Sequence, residues 1–208
     1  MGKVIKVSFF FAALSLTTSI ALAGGPTAAA NRQRVINVTT DSTPDWLPSE
    51  ALEIEATTTL QSYFRAFDKK DDRAVWNLTT VGFQGTTTFF EFEARNKKSR
   101  ADLGRLKHLA VLKVTWTKDP SAAPAPGVYV AIDVAGTFSK TQRHCGFVVL
   151  FKSTPTDLFK VARIESNFMS DASARNIAKE NSPAEVVRLW SMLAANCPNY
   201  RNPAGAAR

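Results

Sequence analysis

The chain has 208 residues, a formal net charge of +8 and two cysteines, and its length fits one domain of ordinary size with a tail or two. Its positive charge is thinly spread, densest from Arg95 to Arg100 with Arg105 and Lys107 beyond. A nucleic-acid surface would need a larger basic patch carrying stacking aromatics, so this run reads as a solvated helix face and no nucleic-acid partner is expected.

Residues 1–23 read as a signal peptide. Lys3 and Lys6 precede an apolar, hydroxyl-rich run from Val7, and Ala21-Leu22-Ala23 places small residues at −3 and −1 before Gly24. Cleavage is expected after Ala23, giving a soluble periplasmic or secreted protein. The run is short for a membrane anchor, which needs about 20 strongly apolar residues. No cysteine stands near residue 23 to carry a lipid, and no later segment is apolar enough to cross a bilayer. Residues 24–47, rich in Ala, Thr, Asn, Ser and Pro, read as a flexible leader with one β-like run at Val35–Val38.

From residue 48 the pattern becomes helical. Ser49 can cap a helix, Glu50 and Glu53 suit its N-terminal pole, and Leu52, Ala56, Leu60, Tyr63, Phe64 and Phe67 recur at helical spacing. This predicts a long amphipathic helix over 49–68. Asp71 caps a short second helix containing Trp76, with Asp72 as a solvated neighbour. Thr88 with Glu91 has capping-box spacing for a third helix, running from Phe89 to Gly104. The period then changes to two. Strands are predicted over 108–116, 128–138, 145–151 and 159–168, the third apolar on both faces. Short connections make the sheet antiparallel. In 108–116 the even positions Ala110, Leu112, Val114 and Trp116 form the apolar face, with His108 in phase at the core side. A last helix starts at Ser182-Pro183-Ala184-Glu185, and its stripe Val186, Leu189, Trp190, Leu193 continues to Cys197.

The fold class is therefore α+β: N-terminal helices packed on an antiparallel sheet of about four strands, with an added C-terminal helix. The core domain spans 48–169, and 170–208 form a C-terminal helical extension and tail. In an exported chain, two cysteines are first read as one disulfide, Cys145–Cys197, stapling the last helix to the sheet. The alternative is a pair of free buried thiols.

Several runs carry a resemblance: the early helix ending at Phe67-Asp68, Trp76, Arg100–Gly104, Pro126–Asp133, Phe138–Lys140 and Phe159–Arg163. Over about residues 50–168 the chain resembles the nuclear-transport-factor-two-like, or SnoaL-like, superfamily of α+β cones, and within it a family of exported bacterial domains. Cys145 stands where similar sequences tend to carry an acid. The resemblance implies a long first helix across the sheet and a hollow open end. It transfers no activity, because fold alone does not imply function.

Chemistry-bearing residues are few. His144 adjoins Cys145, but neighbouring strand residues point to opposite faces, so the two cannot form a nucleophilic dyad. No metal-ligand spacing and no phosphate loop occurs, and neither a metal nor a cofactor is expected. Asp133 and Tyr129, on one face of the second strand, are the catalytic candidates by analogy with SnoaL-like enzymes, and His108 is the third candidate. Trp76, Phe83, Phe89, Phe92 and Trp116 are candidates to line an apolar pocket, with core packing as their ordinary role. The expected function is non-enzymatic binding of a small apolar ligand or an envelope protein partner. The alternatives are a SnoaL-like isomerase or hydrolase acting on a small hydrophobic substrate, and a structural subunit of an envelope complex.

Overall fold

The structure, a computed structural model, describes residues 36–201; the signal-peptide reading of residues 1–23 and the tail 202–208 lie outside the described residues. Within them the protein is α+β, as its periodicities predict: helices first, then a sheet, then C-terminal helices. No helix among the described residues is long and apolar enough to cross a membrane.

Helix α1 (Glu50–Asp68) starts where Ser49 Oγ accepts the Leu52 N–H, and it buries Ala56, Thr59, Leu60, Tyr63 and Phe64. Helix α2 (Asp72–Asn77) is capped by Asp71, and the one-turn α3 (Val81–Gln84) by Thr80. Helix α4 (Phe89–Leu103) opens on the Thr88/Glu91 capping box and ends at Gly104, whose φ of 76° an L side chain rarely adopts. A Cβ at Gly104 would also lie 2.2 Å from Ser139 Oγ. The close approach ties α4 to the sheet: Lys140 N–H donates to the Leu103 carbonyl, and the Thr141 hydroxyl to that of Asp102.

The sheet has five strands in the order β1 (Asn37–Val38), β2 (Leu106–Lys118), β3 (Val128–Phe138), β4 (Arg143–Lys152), β5 (Lys160–Met169). Strands β2 to β5 are antiparallel, as expected; β1 is an addition, parallel to β2. It comes from the segment read as leader. Residues 36–47 follow β2: Thr39 and Thr43 N–H groups donate to the Trp116 and Lys118 carbonyls, and Trp46 packs on Trp116 at 6.5 Å.

Strand β2 departs from simple alternation. Bulges at Leu106/His108 and Val111/Lys113 each shift its phase by one. Leu106, Leu109, Val114 and Trp116 pack toward the core. Leu112 is exposed, and so is His108, correcting its placement on the core side. On β3 and β4 alternation holds, and Val130, Ile132, Val134, Val148 and Leu150 join α1 in one core.

Two helices follow the sheet, where one was expected. The first, α5 (Asp171–Glu180), is too polar to show an apolar stripe in sequence. The second, α6 (Pro183–Ala194), lies with α5 on the outer face, where Cys145, Met169, Ala174, Val186, Trp190, Ala194 and Cys197 form a separate cluster. The Cys145–Cys197 disulfide is present, with Cα atoms 5.9 Å apart. Cys197 lies beyond the helix, in the turn after Ala194.

Candidate functional site

The inner face of the sheet leaves a void between α1, α4 and β3 to β5, a cavity of ≈ 130 Å³. Its apolar wall comes from Phe64, Phe67, Leu103, Val134, Phe138 and Val148, with Ile164 from β5. Polar groups converge on it from four elements: Tyr63 on α1, Asn96 and Ser99 on α4, His144 on β4, and Glu165 and Ser166 on β5. Its mouth lies toward Ser166, an exposed residue on the edge strand.

His144 is the buried polar residue at the sheet side, only 4% exposed. It alternates in phase with Val148 and Leu150, so its ring faces inward while Cys145 faces α6. Its Nε2 lies 2.8 Å from Ser166 Oγ across the β4–β5 pair. Its Nδ1 is buried without a hydrogen-bond partner among the described residues, against Gly136, where a Cβ would come within 2.9 Å. Burial lowers the imidazole pKa to about 4, partly opposed by its own backbone, so the ring is neutral at pH 7.

A buried ion pair supports the helical wall. Asp72 accepts two hydrogen bonds from Arg100, at 2.7 and 2.6 Å, and a third from Asn96 Nδ2 at 2.9 Å. Burial alone would raise the Asp72 carboxyl, but the bonds from Arg100 and Asn96 hold it below its ordinary value. The Arg100 guanidinium also lies over the Phe67 ring at 5.2 Å. Tyr63 is fully neutral at physiological pH: burial pushes its phenol far up, and the Asp72 charge adds to this. Asp72, read as a solvated neighbour of the Asp71 cap, is thus a buried anchor 8% exposed, and Arg100 leaves the solvated face assigned to its run.

The residues singled out from sequence lie elsewhere. Asp133 is on the outer face, where it accepts a hydrogen bond from Asn199 Nδ2. Tyr129 stacks on Phe151 at 4.6 Å and donates its hydroxyl proton to the Ala125 carbonyl. Neither lines the cavity, and His108 does not reach it. The aromatic candidates Trp76, Phe83, Phe89 and Phe92 pack on one another, with centroids 5.2–5.9 Å apart, and also stay outside it. Trp116 packs between Trp46 and Phe159 and borders a second cavity of ≈ 170 Å³ at the β2 side of α1. Among the described residues no cluster of His, Cys, Asp and Glu could hold a metal.

The Ser166–His144 contact has the spacing of a nucleophile and its base, but two features oppose that use. A base needs a pKa near the working pH, and this ring has been moved away from it. A third group should orient the imidazole through Nδ1, and here that atom has no partner. What the site does offer is an apolar chamber with a few polar groups, of which Glu165 alone is charged and is paired with Arg163.

A family model described as "Protein of unknown function (DUF4019)" matches residues 59–174, more than half of the chain. The chain belongs to that family. The matched stretch holds the cavity wall, both members of the ion pair and Cys145, whereas α6 and Cys197 lie beyond it. No curated protein matches the chain, and no solved structure does.

Proposed function

We propose that this DUF4019 domain is a non-enzymatic binding module of the SnoaL-like type, exported from the cytoplasm, that holds a small apolar molecule between α1, α4 and the sheet. The observation that carries the reading is the cavity itself, predominantly apolar and supplied with a few convergent polar groups, which is the usual composition of a small-molecule site. Its ≈ 130 Å³ compares with about 150 Å³ for an engineered apolar cavity that takes up benzene or xenon. The Cys145–Cys197 bond supports export, since structural disulfides persist in oxidising compartments. The enzyme reading would place Asp133, Tyr129 and His108 around the chamber, and none of them lines it.

Diffraction from crystals pressurised with xenon tests the proposal. Anomalous density is expected between Phe64, Phe138 and Val148. A chamber that stays without xenon under pressure while other sites fill would refute the reading.

A further inference from the structure

We infer that the ligand is an uncharged single-ring compound bearing a hydroxyl or carbonyl group, held through Asn96 Oδ1 and the Ser166 hydroxyl, and that carboxylate analogues are rejected. The inference rests on the cavity being a ligand site and specifies what enters it.

Charge is the first consideration. Arg100 is already bound through both nitrogens to Asp72, and Glu165, which lines the chamber, is paired with Arg163. The other polar side chains of the wall, Tyr63, Asn96, Ser99, His144 and Ser166, carry no charge at pH 7. A carboxylate entering the chamber would lose its water and find no free cation in the wall.

The direction of the hydrogen bonds is the second. Asp72 is ionised and can only accept, so the Asn96 amide must turn its NH₂ group toward it. Asn96 Oδ1 then faces away from the ion pair and receives no donor among the described residues, leaving an acceptor in the wall. At the sheet side, His144 Nδ1 is buried against Gly136 and makes no hydrogen bond among the described residues. A buried N–H without a partner is rarer than an unfilled acceptor, so the ring proton belongs on Nε2. There it donates to Ser166 Oγ. The Ser166 hydroxyl proton is thereby free to donate into the mouth. The Asn96 acceptor and the Ser166 donor, with the Tyr63 and Ser99 hydroxyls also on the wall of an apolar chamber of benzene size, match a hydroxyl or carbonyl on a single ring.

Calorimetric titration of the oxidised protein at pH 7 with phenol, benzene and benzoate tests this. Phenol should bind at one site, benzene about tenfold more weakly for want of a polar group, and benzoate at least about 100-fold more weakly than phenol. Ser166→Ala, at an exposed position on the edge strand, should bring phenol close to the benzene value while unfolding with a single cooperative transition. Benzoate binding as tightly as phenol would overturn the ligand class while leaving the cavity a binding site. Unchanged phenol binding by Ser166→Ala would overturn the assigned donor. Failure of all three compounds, benzene included, would remove the cavity reading together with this inference.

Discussion

Two groups of aromatic rings occupy the layer between helices and sheet, and they do opposite things. Trp76, Phe83, Phe89 and Phe92 meet one another edge-on or tilted, with Arg73 over Phe89 at 3.6 Å, and they consume the space they enclose. Tyr63, Phe64, Phe67 and Phe138 instead border the chamber, facing the short side chains of Val134 and Val148 and the polar edge at His144 and Ser166. Aromatic density therefore does not mark a pocket. A void forms where rings face small sheet residues and where polar groups must keep their own partners.

The contrast can be broken most forcefully in the solid group. Phe92 is 3% exposed between Trp76 and Phe83, and Phe92→Ala should cost about 3–5 kcal/mol in denaturant unfolding. A loss below about 1 kcal/mol would mean that this region is loosely packed as well.

A second effect concerns acid. The unfolded chain protonates His144 near pH 6.5 and the folded protein only near 4. Between these values the unfolded state holds the extra proton, so stability falls as pH drops through the window, by about 3 kcal/mol in full. Asp72, also held low, adds a loss of the same sign at lower pH. In His144→Leu the decline between pH 6.5 and 4 should be shallower by about that amount, as followed by urea unfolding at a series of pH values. Parallel pH profiles for the two proteins would show that the imidazole is not buried neutral.

The smallest effect belongs to the chamber wall. Val148→Leu adds one methylene beside empty space and should change stability by less than about 1 kcal/mol, in the stabilising direction, while weakening uptake of benzene. A loss comparable to that of Phe92→Ala would show that Val148 is as tightly enclosed as the rings are.

Local chemistry made much of the fold legible. Ser49, Asp71, Thr88 and Ser182 cap the helices their sequence contexts indicate, and the period-two runs became strands β2 to β5. What stayed hidden was non-local or irregular. Two bulges in β2 cannot be seen in an alternation pattern, and they carried His108 outward. The site itself joins partners distant in sequence: His144 with Ser166 across a strand pair, and Asp72 with Arg100 between two helices. One signal is partial: His144 shares the phase of Val148 and Leu150, but Cys145, Phe147 and Val149 make the other face of β4 equally apolar, so the strand alone does not mark its core side.

The central claim is that the chamber beneath α1 and α4 is a binding site, and methyl NMR of the oxidised protein titrated with benzene tests it most directly. Saturable shifts are expected at Leu103, Val134, Val148 and Ile164, which line the chamber, with none at the exposed Val81 and Leu158. Shifts confined to Val81, Leu158 or the helices α5 and α6, with the four chamber residues unmoved, would contradict the account.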